Sequence, residues 1–362
     1  MSEERTMLSA AADEMFRDLC SPRTVRDAEE HGWSPDLWEA LTEAGFPLVG
    51  VPEAAGGSGG DVADACALLM VAGRYAAPVP LAETGLLAGW AAAAAGLALP
   101  AGPATVAVGR RGDTVELSGA EGAWRLSGQV SRVPWGARCE RVVLVAEHDG
   151  RYWVVSAPTA AATVTSGRNL AAEPRDTLTF TSVELDDALV APAPESVTPH
   201  ALMLRGALGR ASLIAGALAR VTELSVRYTE EREQFGRPVA RFQAVQAHLV
   251  HIAEEAQLAG MAASVAALNC ATALSFSDVA VAKIIASEAA TSVARAAHQA
   301  HGAIGMTKEY ELGQLTRRLW SWRDEFGSER SWSRALGHQL ALAGADELWP
   351  RISTGLLDDQ PC

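Results

Sequence analysis

At 362 residues, the chain is long enough for two or three packed domains rather than one small core. Its composition, with 49% apolar and 20% charged residues, is that of a globular protein and excludes a disordered one. The formal net charge of -14 argues against nucleic acid as a partner, because phosphate binding requires a basic face. Five scattered cysteines without metal-type spacing predict buried thiols in a reducing, cytoplasmic setting.

The first part of the chain, residues 8 to about 100, has a helical pattern. One helix is predicted to begin at Ser34-Pro35, an N-cap followed by proline at the first helical position, and to stop at Gly45. A glycine-rich connection, Val49–Gly60, follows. It has neither a preceding strand nor a Gly-Lys-Ser ending, so we interpret it as a surface turn and not as a phosphate-binding loop.

Between about residues 104 and 198 the pattern changes to short runs rich in β-branched residues. The tripeptide His148-Asp149-Gly150 predicts a hairpin between two of them. Because no helix is predicted between the strands, an antiparallel β-barrel or sandwich is expected. The predicted strands are Ala104–Val108, Thr114–Leu117, Trp124–Leu126, Arg141–Ala146, Tyr152–Ser156 and Thr177–Leu185.

Long helical patterns return after about Pro199 and are sufficient for a four-helix bundle. The predicted fold class is therefore α+β and multidomain. We expect an N-terminal helical domain at 1–102, a central β domain at 103–198 and a C-terminal four-helix bundle at 199–362. The four predicted bundle helices are Met203–Tyr228, Phe242–Leu274, Ser277–His301 and Tyr310–Phe326.

The joint between the first two bundle helices carries the most specific motif in the chain. Gly236 and Pro238 predict a turn there, because neither suits a helix interior. The turn lies within the string Arg-Glu-Gln-Phe-Gly-Arg-Pro, residues 232–238, which is followed by Phe242-Gln243. In composition the string is a solvated, charged helix end. In its order, however, it resembles the R-x-x-F-G signature of acyl-CoA dehydrogenases, which are flavoenzymes that desaturate acyl thioesters.

A second string, Gln299–Tyr310, ends the third predicted bundle helix. Glycines at 302 and 305 would let the backbone approach a ligand, although a glycine stop at a helix C-terminus is the simpler structural explanation. The string is similar to the family's Q-x-x-G-G-x-G-x-x-x-E-(Y/H) segment. With both strings in order, the resemblance covers nearly the whole chain and is weakest in the β domain.

The resemblance implies an FAD cofactor shared between two subunits, and hence at least a dimer. The family's arginine at the position of Arg232 pairs with the FAD pyrophosphate of a neighbouring subunit, a task that suits a bidentate guanidinium. Ala303 replaces the more usual second glycine. The other implied FAD contacts are Gln234, Phe235 and Gln243 from the first string, and Gln299, Gly302 and Ala303 from the second, which would bind from the partner subunit.

The β domain departs further from the family. It lacks the relatives' serine- and glycine-rich segment, and their W-I-T-N run beside the flavin aligns with Arg132-Val133-Pro134-Trp135. Proline provides neither a hydroxyl nor a backbone donor. The resemblance therefore leaves only backbone contacts of Val133 and Trp135 to hold the flavin ring.

The family's dehydrogenation requires a carboxylate that removes the α-proton of the thioester while hydride leaves the β-carbon. Alignment places Phe326-Gly327-Ser328 over the E-G-T run that supplies this glutamate, so the usual base position is phenylalanine. The alternative position early in the first bundle helix, Leu204–Ala207, has no acid. We therefore predict Glu325 as the base, with Asp324 second, and Ser328 beside the cofactor.

The predicted function is FAD-dependent α,β-dehydrogenation of an acyl-CoA, with electrons passed to an electron-transfer flavoprotein. We expect a homodimer or tetramer, or a heteromer with a homologous chain. We expect no metal, since the scattered histidines lack a third ligand, and no membrane, because the uncharged run at 85–109 is broken by two prolines. Three alternatives remain open: a flavin-binding partner subunit without a base, a non-catalytic helical scaffold, and a flavin oxidase or monooxygenase.

Overall fold

A computed structural model describes residues 2–110, 112–307 and 310–354 of the chain. Helices, strands and helices follow one another along the sequence in the predicted order. Two compact units contain these elements: Met1–Leu69 with Ala77–Gly206, and Met70–Ala76 with Ala207–Cys362.

The N-terminal helices begin and end where local chemistry dictates. Ser2 and Ser21 each accept a hydrogen bond from a backbone N–H three residues on, and so cap the first two helices. The predicted helix between Ser34 and Gly45 is present, and Gly45 takes a left-handed φ of 76° just after it. The helices are α1 (Glu3–Leu19), α2 (Pro22–His31), α3 (Pro35–Glu43), α4 (Val62–Arg74) and, after a π-helical segment at Ala82–Gly89, α5 (Trp90–Ala94).

The strands form two open four-stranded sheets, ordered β1-β4-β5-β8 and β2-β3-β7-β6. Side chains from both sheets meet in one buried core, so the β region is a sandwich. Every pair is antiparallel except β1–β4, which is parallel because the chain leaves β1 for the other sheet before β4 returns beside it. The strands are β1 (Ala104–Ala107), β2 (Thr114–Ser118), β3 (Trp124–Pro134), β4 (Arg141–His148), β5 (Arg151–Pro158), β6 (Thr163–Thr165), β7 (Arg175–Leu185) and β8 (Val190–Pro192).

The predicted hairpin lies between β4 and β5. Asp149 and Gly150 both have positive φ, 51° and 71°, as the two central residues of a type I′ turn require. This turn also fixes the register, which pairs His148 with Arg151.

The long C-terminal helices lie in the second unit, except for the first turns of the helix Pro199–Glu231, which belong to the first unit. The first three predicted bundle helices are present with shifted ends, whereas the fourth stops at Trp322, four residues before its predicted end. The elements are α6 (Pro199–Glu231), the two-residue strands β9 (Glu233–Gln234) and β10 (Arg237–Pro238), α7 (Gln243–Cys270), α8 (Phe276–His301), α9 (Leu312–Trp322), α10 (Glu329–Ala343) and α11 (Ala345–Thr354).

Helix α6 is the long central helix of this part of the chain. By length and mean hydropathy, 1.3 over its most apolar window, it could cross a membrane. However, 94% of that window is buried inside the protein, as in a core helix. The apolar character of α6 is therefore explained by packing.

Candidate functional site

The first motif forms a miniature hairpin between α6 and α7. Strands β9 and β10 pair Gln234 with Arg237, which leaves Phe235 and Gly236 as the two central residues of the turn. Both have positive φ, 53° and 77°, the geometry of a type I′ turn. Glycine adopts this conformation freely, but phenylalanine is strained in it. The Phe235 side chain is also 92% exposed, so the hairpin holds an apolar ring out into water.

Arg232 lies at the base of this hairpin with its backbone fixed and its side chain exposed. Its N–H donates to the Tyr228 carbonyl at 2.9 Å, and its own carbonyl accepts from the Val239 N–H at 2.8 Å. Its guanidinium forms no hydrogen bond or ion pair with the described residues. Arg237, by contrast, packs over the Phe242 ring at 4.3 Å. Within the part of the chain that the structure describes, the charge of Arg232 is thus not neutralised by a protein anion.

The second motif lies at the end of α8, where Gln299, Gly302 and Ala303 are all exposed. Gly302 has a φ of 63° and a Cβ placed on it would meet no atom within 4 Å, so its backbone is open to a ligand. Lys308 and Glu309, near the end of the motif, lie outside the described residues.

An aromatic contact brings the two motifs together. Tyr228, one turn before Arg232, stacks on His301 at 4.7 Å between ring centroids. His301 immediately precedes Gly302, and its Nδ1 lies 2.8 Å from the Ala297 carbonyl oxygen, to which it can only donate. The Tyr310 hydroxyl then donates to Nε2 at 3.3 Å. Burial lowers the pKa of His301, which agrees with the neutral ring that this tautomer requires.

Sequence patterns did not predict this contact. Tyr228 falls on a helix pattern and His301 on another, 73 positions apart in the printed sequence, and neither pattern indicates that they stack. The contact matters because it holds the ends of α6 and α8 side by side. As a result, Arg232 and Gly302, from separate motifs, belong to one region of the second unit.

The predicted flavin-ring contacts in the β region are buried. Val133 pairs with Asp176 across the sheet, and Trp135 adopts a left-handed φ of 56°. The Trp135 N–H donates to the Pro174 carbonyl at 3.1 Å. Within the described residues, this backbone donor is therefore engaged by the protein itself. The roles of Val133 and Trp135 beside a flavin remain predictions.

Glu325, the predicted base, lies in the turn after α9 and is only 4% exposed. Its Oε2 is 2.7 Å from Nε of Arg210 on α6, in an ion pair whose two side chains are both buried. The sequence predicted Glu325 as the base but gave no indication that Arg210 would be its partner. Asp324, the second choice, is exposed and lies 3.4 Å from Nε of Arg323.

The rest of this turn is tightly constrained. Phe326 has a φ of 51°, and its carbonyl accepts a hydrogen bond from the Trp332 indole at 3.0 Å. At Gly327 a Cβ would stand 2.4 Å from the same indole nitrogen, so only glycine fits there. Ser328 caps α10 by accepting from the Ser331 N–H at 3.3 Å. We refer below to residues 324–328 as the α9–α10 turn.

Helix α7 carries an exposed apolar stripe, which we define as Leu258, Met261, Val265 and Leu268. Each side chain is at least 50% exposed, and the spacing of three, four and three residues places them along one helix face. The stripe borders an open groove of about 490 Å³ between α4, α6 and α7. Contiguous exposed apolar surface of this kind indicates an interaction site.

Comparisons with known proteins match both the N-terminal and the C-terminal parts of the chain. The family model for "Acyl-CoA dehydrogenase, C-terminal domain" matches residues 200–329, and that for "Acyl-CoA dehydrogenase, N-terminal domain" matches residues 2–97. The acyl-CoA dehydrogenase IpdE2 of Mycolicibacterium smegmatis is 30% identical over 343 residues, which cover 93% of this chain and 98% of the relative.

Solved structures are similar over nearly the whole length. The ChsE4-ChsE5 complex from Mycobacterium tuberculosis matches with a TM-score of 0.87 and 25% identity, covering 94% of this chain and 98% of that one. A variant of the Tcur3481-Tcur3483 steroid ACAD matches with a TM-score of 0.85 and 26% identity, covering 95% and 99%.

Proposed function

Because the chain belongs to the acyl-CoA dehydrogenase family, whose members are oxidoreductases acting on acyl-CoA, we propose that it is an FAD-dependent subunit that desaturates an acyl-CoA thioester. Electrons would pass to an electron-transfer flavoprotein. One observation carries the cofactor assignment: the exposed Arg232, fixed at its backbone and without an ionic partner among the described residues.

The residues at the ends of α6 and α8 fit a dinucleotide. Arg232 offers a forked donor of the type that binds pyrophosphate oxygens, and the open backbone at Gly302 permits close approach. The exposed amides of Gln234, Gln243 and Gln299 add polar contacts nearby. When bound, FAD supplies the two-electron oxidant that no side chain can provide. The protein's own tasks are to bind the cofactor, orient the thioester and remove its α-proton.

Assembly with a second, related chain completes the proposal. Phe235 and the α7 stripe are exposed apolar side chains in the single chain. Surface of this kind is typically buried by a partner subunit. The ChsE4-ChsE5 and Tcur3481-Tcur3483 structures are each named for two chains. We therefore propose that Arg232 of one subunit neutralises the FAD phosphates held mainly by its neighbour.

Arg232→Ala tests the cofactor assignment. Loss of a charge-assisted contact to phosphate should weaken FAD affinity by about 10- to 100-fold. Exposed Arg241, nine positions further along, serves as the matched control, and Arg241→Ala should leave affinity within about twofold, as for a surface substitution. Flavin absorbance after dialysis and fluorescence titration of the apoprotein measure the effect. Equal FAD retention in both variants would remove the pyrophosphate assignment.

The buried Arg210–Glu325 pair favours a second candidate function. A carboxylate held 2.7 Å from a buried guanidinium, beside a phenylalanine at the family's base position, is suited to structure more than to proton abstraction. In this second candidate the chain binds flavin but obtains its base from a homologous partner. Anaerobic acyl-CoA would then bleach the flavin of the complex and not that of the isolated chain.

A further inference from the structure

Lys283, on α8, is a lysine in a fully buried position, where a charged side chain is unusual. Only two of the 30 lysine and arginine residues in the sequence are lysines, at positions 283 and 308. Lys283 is nevertheless completely buried. Isolated buried ammonium groups are costly, so a chain that otherwise uses arginine has placed a lysine where burial penalises it most.

The surroundings of Lys283 match an ammonium group. Its Nζ donates to the Arg323 carbonyl at 2.6 Å, to the Trp322 carbonyl at 3.2 Å and to Ser287 Oγ at 3.1 Å. The two carbonyls belong to the C-terminal end of α9, whose last carbonyls have no partner within the helix. Three acceptors face the three donors of an ammonium, whereas the planar guanidinium of arginine would not fit this geometry.

We propose that Lys283 is a positioning residue: its ammonium caps the C-terminal end of α9 and thereby fixes the α9–α10 turn that carries Glu325. The turn is then held from three sides. Lys283 binds the carbonyls that lead into it, Arg210 binds the Glu325 carboxylate, and Trp332 binds the Phe326 carbonyl. The functional part of the inference rests on the proposed dehydrogenase activity, but the structural part does not.

The charged groups around Lys283 make this cap sensitive to pH. Burial lowers the pKa of Lys283 from 10.5 to about 7, although the Glu325 carboxylate raises it. Asp324 acts in the same direction as Glu325, while Arg210 and Arg323 oppose it. Below about pH 7 all three acceptors receive a proton from the ammonium. Above it the neutral amine has two protons for three acceptors, so the hydrogen bonds of the cap change while the cost of burying the charge disappears.

Lys283→Met is the principal test. The variant should fold, because methionine fills similar space and removes a buried charge. Without the cap, hydrogen exchange of backbone amides 323–328 should rise by about tenfold at pH 6, since hydrogen bonds from a charged donor are stronger than those from a neutral one. Ser287→Ala, which removes one acceptor of three, should give a smaller rise. Exposed Arg334→Met controls for loss of a surface cation.

Lysine-selective isotope labelling tests the titration directly. The labelled protein should give two side-chain NMR signals, and Lys308→Met assigns them. One signal should titrate near pH 7 and vanish in Lys283→Met. The bleaching rate with acyl-CoA should show a matching pH step that the same variant abolishes. Unchanged exchange at 323–328 in Lys283→Met, or a Lys283 signal that titrates only near 10.5, would overturn the proposal.

Failure of the proposed function gives a different result. Suppose that no acyl-CoA bleaches the flavin of this chain, alone or with a homologous chain, yet the exchange and titration effects are present. This result would support the Lys283 cap and rule out the dehydrogenase assignment. Bleaching by acyl-CoA without the exchange and titration effects would support the dehydrogenase assignment and rule out the Lys283 cap.

Discussion

At the scale of single residues, Glu325 has two possible roles that a single substitution cannot separate. Removing either member of a buried ion pair leaves the other charge unpaired, and this typically costs about 3–5 kcal/mol of unfolding free energy. A loss of activity in Glu325→Gln could then reflect damage to the α9–α10 turn as easily as loss of a base.

The double variant Arg210→Met/Glu325→Met resolves this ambiguity. Replacing both charges by apolar groups should restore most of the stability lost in each single variant, since neither charge is left unpaired. Chemical denaturation of all four proteins measures the recovery. If the refolded double variant bleaches with acyl-CoA as fast as the parent, Glu325 is not the base. A stable double variant that retains FAD but no longer bleaches supports the predicted role.

Lys283 also predicts the dependence of global stability on pH. Its folded pKa of about 7 lies below its ordinary value, so between these two pH values the unfolded chain binds more protons than the folded chain. Stability due to this group therefore rises with pH above about 7, by up to about 1.4 kcal/mol per pH unit. Denaturation of the parent and of Lys283→Met between pH 6 and 9 should show this difference in slope. Parallel curves would contradict it.

The sequence singles out candidate site residues where a short string carries the information, and their roles stay predictions. Arg232 and Gly302 belong to such strings. The partners of Glu325 could not be predicted in this way, because Arg210 lies on another helix and pairs with Glu325 only after α6 and the α9–α10 turn have packed. The burial of Lys283 also could not be predicted from the neighbouring residues in the sequence. An amphipathic pattern does not indicate which carbonyl groups a side chain will contact in the folded protein.

At the scale of elements, the turn of the β9–β10 hairpin has a residue that its backbone conformation disfavours. Asparagine followed by glycine is the favoured pair for its type I′ turn, but the chain has phenylalanine in a strained and exposed position. Strain of this kind persists where it serves a function. We infer that the ring serves an intermolecular contact.

Phe235→Asn tests the role of the aromatic ring in subunit contact separately from its effect on the stability of the turn. The variant should melt at the same or a higher temperature, because the turn sequence improves, while the dissociation constant of the assembly rises by about tenfold or more through loss of an aromatic anchor. Differential scanning calorimetry and analytical ultracentrifugation measure the two effects. Met7→Asn, at another exposed apolar residue, should change neither. Assembly as tight as in the parent would rule out the contact.

Periodicity predicted most elements but located some ends poorly. The first three bundle helices and six strands are present, and Asp149-Gly150 forms the expected turn. The fourth bundle helix was predicted too long, because the residues after Trp322 favour a helix locally. Contacts made by Lys283, Arg210 and Trp332 instead hold them in a turn. Tertiary contacts of this kind override local preference.

For the whole molecule, the α7 stripe predicts where subunits meet. A double substitution, Met261→Glu/Val265→Glu, would place two carboxylates on this uncharged face. It should convert the assembly to single chains while leaving the melting behaviour of the chain itself nearly unchanged, because both side chains are at least half exposed. Size-exclusion chromatography with light scattering measures the mass.

A matched control uses two exposed apolar residues elsewhere, Met7→Glu/Leu170→Glu. This control should retain the parent's mass. If the α7 variant also retains it, the stripe does not lie at a subunit contact, and the apolar face must serve another purpose.

The overall architecture was predictable because the order of helical and strand patterns is itself distinctive. The parallel β1–β4 pair was not, since strand periodicity carries no information on direction. The resemblance to acyl-CoA dehydrogenases came from two strings that cover few residues, and the matches at 2–97 and 200–329 extend it over most of the chain.

The exposed ring of Phe235 has a consequence for the cell that makes this protein. A newly synthesised chain without the proposed partner subunit exposes an aromatic side chain to water. Exposed groups of this kind bind chaperones and promote aggregation. Matched production of the partner chain proposed above would therefore limit the amount of unassembled protein.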